Sequence, residues 1–146
     1  MNDAYPMVDK AYAYATRERR AAEENLELLV FEQSSSGTGV QVPKGTVDDG
    51  DDPAEAVVRE LAEESGVDEP EVLAHLATDR WFHDRREAIY RRHFFHVSVD
   101  EERDEWKHVV TGDGVDDGMT FSCFWTCPRS VSLSRDMGDY LHVILE

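Results

Sequence analysis

Apolar residues recur along this chain with two different periods, and the change of period marks its elements. Residues 11–19 and 26–32 carry the runs of two strands, joined across the polar residues 20–25. Residues 34–39 read as a flexible loop and 40–42 as a short strand. The stretch 43–52, with two glycines and four aspartates, is rich in turns. Within residues 53–65 the period lengthens: Ala54, Val57, Val58 and Leu61 recur at i, i+3, i+4 and i+7, which predicts a helix with one apolar face. Asp52 is a good N-cap, Pro53 suits the first turn, Glu55 completes a capping-box pattern, and Gly66 supplies a left-handed stop. Further strands are predicted at 72–77, 87–99 and 119–126, and a short C-terminal helix at 135–145. Strands on both sides of a central helix predict an α/β fold, a mixed sheet with helices packed on its faces. No internal repeat or long linker interrupts the pattern, so residues 1–146 are expected to form one domain.

Charge narrows the function. The chain carries 32 Asp and Glu against 15 Lys and Arg, a formal net charge of -17. That sign argues against a nucleic-acid polymer as partner, because neutralising a phosphate backbone needs a basic face. Three Trp, five Tyr and six Phe in patterned runs speak against disorder. A folded, solvated anionic surface follows, and adaptation to high salt is one explanation for it. Under that explanation the melting temperature rises strongly from low to molar KCl; a flat response removes it. No segment approaches the roughly 20 apolar residues of a membrane span, and the first ten residues lack the basic-then-apolar order of a signal peptide. The expectation is a cytoplasmic protein without a membrane partner. A homodimer is the commonest symmetric assembly to test for. Cys123 and Cys127 lie four apart on a predicted strand, roughly 13 Å from one another at about 3.3 Å per residue, too far for a disulfide.

The predicted helix carries the candidate chemistry. At 100° per residue, Glu60, Glu63 and Glu64 fall within about a 100° sector of a face different from the apolar one. Like charges at one-turn spacing repel, and oxygen-only ligands so arranged suit a hard divalent cation such as Mg²⁺ or Mn²⁺. A solvated acidic face is the plain alternative. The segment Gly45-x5-Asp51-x7-Arg59-Glu60-Leu61-x-Glu63-Glu64-x-Gly66-Val67 resembles the Nudix box, G-x5-E-x7-R-E-U-x-E-E-x-G-U with U apolar. Asp51 stands where that family carries Glu. The flanking strand order is also similar to the Nudix α/β/α sandwich.

The resemblance implies a hydrolase of a nucleoside diphosphate linked to another group, working with Mg²⁺ or Mn²⁺ and attack by a metal-activated water on phosphorus. It makes Glu60, Glu63 and Glu64 metal ligands, with the Gly45 carbonyl a further one. Arg59 orients the glutamates by charge-assisted hydrogen bonds. A general base within reach of the water is required. Glu63 and Glu64 are candidates, as are Asp113, Asp116 and Asp117 in the loop before the last strand, with Asp117 preferred among the three. Val42-Pro-Lys-Gly-Thr46 is similar to diadenosine polyphosphate hydrolases of the superfamily and makes Lys44 a candidate phosphate contact. Arg91 and Arg92 point to opposite faces of a strand, so one of them is expected in a phosphate cleft. Trp81, Phe82 and Tyr90 are candidates for stacking a base. His93 and His96 lie on opposite strand faces and do not make a zinc site. A nucleotide or ADP-ribose binding module without catalysis is the second reading, since one scaffold hosts both.

Overall fold

Strand β1 (Met7–Glu18) is apolar on both faces for most of its length, and such a strand belongs in the middle of a sheet. In the computed structural model of the protein, which describes residues 5–18, 26–33, 37–112 and 116–145, that is its place. Ala11, Ala13 and Ala15 face one side, and Tyr12 and Tyr14 the other; all five are buried. The remaining elements are β2 (Leu26–Gln33), β3 (Lys44–Thr46), α1 (Pro53–Ser65), β4 (Glu71–His83), β5 (Ala88–Ser98), β6 (Glu105–Val109), β7 (Thr120–Thr126) and α2 (Leu141–Ile144). They form one mixed sheet in the order β4-β5-β1-β2-β7-β6, with β3 paired to β1 off that path.

The sheet is forked at β1. One edge of β1 runs parallel to β5 from Met7↔Ile89 to Thr16↔Ser98. The other edge is shared: β3 takes the N-terminal half through Lys10↔Thr46 to Tyr12↔Lys44, and β2 takes the C-terminal end through Thr16↔Leu28 to Glu18↔Leu26. The Ala13 N–H, between these two pairings, donates to the Pro43 carbonyl at 2.9 Å. The small alanines of β1 let α1 approach closely, and together with Leu29, Phe31, Phe95 and Phe121 they form the core on that face. The tyrosine face packs with Leu28, Val30, Phe94, Met137 and Leu141 under the C-terminal segment. Helices on both faces of a mixed sheet make the expected α/β sandwich.

Helix α1 begins and ends where the sequence predicts. The Asp52 carboxylate accepts the Ala54 N–H at 3.0 Å, and Gly66 closes the helix at φ 78° with its N–H on the Ala62 carbonyl. Its buried stripe differs from the expected one. Ala56, Val57, Leu61, Glu64 and Ser65 are buried, whereas Ala54 and Val58 are only half-buried. Glu64 therefore lies on the core face, one turn on from Leu61, and not on a separate acidic face.

Four further segments depart from expectation. Residues 40–42 form only an isolated bridge, Gln41 to Phe31, and the turn-rich stretch contains β3, held by the open edge of β1. Strand β6 has a polar sequence, EWKHV, that pairs with β7 and buries alternate residues only in part. The C-terminal segment is a 3-10 turn at Ser134–Asp136 followed by the four-residue α2, because Arg135 (φ 51°) and Asp136 (φ 59°) adopt the left-handed conformation. Residues 20–25, and 34–36 of the predicted loop, lie outside the described residues. Cys123 is buried, Cys127 is exposed, and both are free thiols. Among the described residues no helix is long and apolar enough to cross a membrane.

Candidate active site

A cleft of about 710 Å³ opens at the fork between β3, α1 and the β4–β5 end of the sheet. Its acidic wall is the last two turns of α1, where Glu60, Glu63 and Glu64 all line it. The C-terminal end of that helix is held from outside. The Trp106 indole N–H donates to the Ser65 carbonyl at 2.8 Å, and the His108 Nε2–H and the Thr111 N–H donate to the Glu63 carbonyl at 3.0 and 3.1 Å. These bonds satisfy carbonyls that a helix end leaves without intrahelical partners. They also fix the turn that presents the carboxylates.

Each glutamate has a distinct environment. Glu64 is 4% exposed and accepts the Lys44 backbone N–H at 2.9 Å, and burial pushes its carboxyl up to about 8 against the pull of Lys44. Glu60 is raised by burial and then by the neighbouring Glu63, with Arg59 opposing. A Cβ built on Gly45 would collide with the Glu60 carboxyl group, and one built on Gly112 with that of Glu63. Two glycines thus leave room for two carboxylates. Arg59 donates to the Thr46 carbonyl at 3.0 Å and reaches Glu60 at 3.4 Å, Asp51 at 3.5 Å and Glu63 at 3.8 Å. Burial alone would lower it, but Glu60 leads a set of acids that holds its guanidinium above the usual range.

Among the described residues no three carboxylate, imidazole or thiolate groups already converge as a closed metal-ligand set. The donor chemistry nevertheless suits a divalent cation. Oxygen ligands from one helix end, two of them penalised by burial, meet a backbone stripped of side chain at Gly45. A hard cation would offset that crowding of negative charge.

The other sequence candidates divide. Lys44, Gly45, Arg59, Tyr90, Asp116 and Asp117 line the cleft with the glutamates. The Lys44 amine donates to the Gln41 side-chain oxygen at 2.8 Å. Asp113 lies outside the described residues. Neither Arg91 nor Arg92 lines the cleft. Arg91 is exposed and forms a bidentate pair with Asp9 at 2.6 and 3.1 Å; Arg92 is 2% exposed and bidentate to Asp79 at 2.8 and 2.6 Å. Instead of lining the cleft, both pair with carboxylates that only the fold brings near. Trp81 lines the cleft, while Phe82 is not among its lining residues and packs at a tilt against Tyr5, ring centres 4.8 Å apart.

The cationic wall is what sequence reasoning missed. Lys10, Arg85, Arg86 and Arg135 line the cleft beside Lys44. Lys10 is lowered to about 8 by burial and by Lys44 and Arg86, and its amine donates to Thr46 Oγ1 at 3.0 Å. The adjacent Arg85 and Arg86 were the one visible signal, a basic pair in a chain poor in bases. Lys10 and Arg135 gave none, since they arrive from opposite ends of the chain.

A family model described as the NUDIX domain matches residues 11–142. The chain belongs to the Nudix family. Nudix enzymes in general work with divalent cations, in keeping with the donor set on α1. The chain is 36% identical over 66 residues to an RNA pyrophosphohydrolase of Psychrobacter sp. (strain PRwf-1), a match spanning 45% of this chain and 38% of that protein. Among solved structures, the C. elegans Ap4A hydrolase in a binary complex superposes with a TM-score of 0.68 at 17% identity, covering 94% of this chain and 95% of that one. The MutT protein from Methanosarcina mazei Go1 gives 0.66 at 18% identity over 97% and 95% of the two chains. A UDP-X diphosphatase gives 0.64 at 12% identity, with 99% of this chain spanning 64% of that one. At these identities the structures share the Nudix fold.

Proposed function

We propose that this Nudix protein hydrolyses a phosphoanhydride in a nucleoside diphosphate linked to another group, using Mg²⁺ or Mn²⁺, with a dinucleoside polyphosphate as the favoured substrate. The observation that carries the reading is one cleft lined both by Glu60, Glu63 and Glu64 and by Lys10, Lys44 and Arg86. An anhydride substrate needs both: a cation-binding pole at the bond to be cleaved and positive charge for its remaining phosphates. The names of the relatives, RNA pyrophosphohydrolase and Ap4A hydrolase, point to the same chemical class.

Glu60, Glu63 and Glu64, with the Gly45 carbonyl, would hold the cation. Divalent cations bound there supply neutralisation of phosphate charge and a more acidic water. Arg59 anchors Glu60 and Glu63 to β3 through its bond to Thr46, so their carboxylates keep their direction when substrate charge arrives. Glu64 has one oxygen committed to Lys44 and is buried, whereas Glu63 is half-buried and better placed to take a proton from water. Asp116 and Asp117, also on the cleft, are the alternative bases. Tyr90 is positioned to contact the substrate beside Lys10, whose ammonium sits 5.0 Å from the centre of its ring.

The test is product release from a panel of dinucleoside polyphosphates, nucleotide sugars and ADP-ribose, with Mg²⁺ or Mn²⁺ and with EDTA. Turnover that EDTA abolishes and that Glu63→Gln or Glu64→Gln lowers by orders of magnitude supports the reading. If nothing turns over while ADP-ribose raises the melting temperature, the protein is a binding module.

A further inference from the structure

Arg17, Arg59, Arg91, Arg92 and Arg103 each pair with a carboxylate, as expected in a chain of net charge -17. Arg86 and Arg135 do not: among the described residues neither guanidinium has a hydrogen-bond or ion-pair partner, and both line the cleft. They are also close to one another's surroundings, since both act electrostatically on His83 and on Tyr90, and Arg86 acts on Lys10. Unpaired like charges gathered in one place repel, and so many acids elsewhere make the gathering more conspicuous.

The backbone at Arg135 is costly in its own right. Arg135 (φ 51°, ψ 43°) and Asp136 (φ 59°) are consecutive non-glycine residues in the left-handed region, a conformation that persists only where the surroundings impose it. Here they do. The buried Arg92 donates to the Asp136 carbonyl at 3.1 Å and to the Asp139 carboxylate at 2.9 Å, and the Trp81 indole donates to the Asp136 carboxylate at 2.9 Å. On the other side the Ser134 hydroxyl donates to the Thr38 carbonyl at 2.7 Å and the Tyr14 hydroxyl to the Met137 carbonyl at 2.5 Å. Ser134, Asp136 and Met137 around Arg135 are thus tied down, while the Arg135 guanidinium at the cleft has no partner among the described residues.

We propose that Arg135, presented by this left-handed turn and joined by Arg86, is a specificity residue that binds a phosphate beyond the pair being cleaved. The Nudix protein would then prefer substrates with a chain of three or more phosphates over diphosphate-linked sugars. Arg92 is a positioning residue in this scheme: it never reaches the ligand but holds the turn that aims Arg135. The inference rests on the proposed hydrolase reading and adds the length of the phosphate chain. A neutral sugar at the same place would leave the two guanidiniums without counter-charge.

The experiment compares wild type, Arg135→Ala, Arg135→Lys and Arg86→Ala/Arg135→Ala on a dinucleoside tetraphosphate and on ADP-ribose with Mg²⁺, after circular dichroism has shown that each variant folds. Loss of a charge-assisted hydrogen bond predicts that the preference for the tetraphosphate, as a ratio of kcat/KM values, falls about tenfold in Arg135→Ala. The fall should appear in KM more than in kcat, deepen in the double variant and be partly restored by lysine. An unchanged ratio, or an equal loss on both substrates, overturns the proposal. Should wild type hydrolyse neither, the hydrolase reading is left to the full panel and calorimetric titration with inorganic tripolyphosphate in Mg²⁺ decides this one separately. About tenfold weaker binding by Arg135→Ala supports the role, and equal affinity overturns it.

Discussion

Gly45→Ala separates the carboxylate site from the fold that carries it. Gly45 is in β3, paired with Ala11, and its φ lies outside the left-handed region, so alanine fits the backbone. What it does not fit is the space: the new Cβ would sit inside the Glu60 carboxyl group, and Glu60 must rotate away. The structural cost is small. The lost contact is the 3.4 Å approach of Arg59 to Glu60, and a partly exposed ion pair is worth about 0–1 kcal/mol. Replacing glycine also lowers the entropy of the unfolded chain, a gain of about 0.4–1 kcal/mol. The two nearly cancel, so urea denaturation in EDTA should give a stability within about 1 kcal/mol of wild type. The functional cost is large, because a ligand displaced by an ångström or more disrupts cation binding and substrate alignment, and kcat should fall about a hundredfold or more. Activity within about threefold of wild type, with the fold intact, would refute the assignment of Glu60 and of the Gly45 backbone to the metal site.

Glu64→Gln should lower kcat by at least about a hundredfold while leaving the metal-free protein no less stable at pH 8. Burial raises the folded Glu64 carboxyl from 4.5 to about 8, so the metal-free wild type loses stability as pH climbs through that window, and the amide removes the loss. Melting curves in EDTA across the same window check the sign. Asp9 behaves oppositely: its hydrogen bonds from Arg91, opposed by burial and aided by His93, hold it near 2, below its ordinary 3.8. Its contribution is present above about pH 4 and is lost as pH falls through 2. Allowing for solvent screening, Asp9→Asn should cost about 1 kcal/mol at neutral pH and flatten the acid limb of a stability curve. Asp51→Glu gives the carboxylate one more methylene with which to close the 3.5 Å gap to Arg59, and kcat should stay within about twofold with a melting temperature equal or slightly higher. A large loss of activity would show that the loop has been built around the shorter acid.

The parts of this fold that were legible beforehand are those whose signals are local. Helix α1 announces itself through Asp52, Pro53 and Gly66 within its own neighbourhood, and its boundaries match. Strand β3 carries no such signal, since three residues rich in turn formers become a strand only because β1 leaves half an edge open. Strand β6 is polar, and its Trp106 and His108 make sense only against the carbonyls at the end of α1. The expected C-terminal helix is broken by hydrogen bonds from Arg92 and Trp81 to Asp136, residues more than forty positions away in the chain.

The site follows the same division. Spacing on a helix is enough to bring Glu60, Glu63 and Glu64 to one end of α1, because the helical period is a property of the backbone. Spacing says nothing about which carboxylates stand near Arg91 and Arg92, and Asp9, Asp79 and Asp139 turn both away from the cleft. Nor does it say that Lys10, Arg86 and Arg135 meet around Tyr90. The sequence by itself determined the acidic pole and the chemistry it suits. The tertiary structure alone decided the basic residues that share its cleft, because charges from distant segments acquire neighbours, and therefore a role, only when the sheet brings them together.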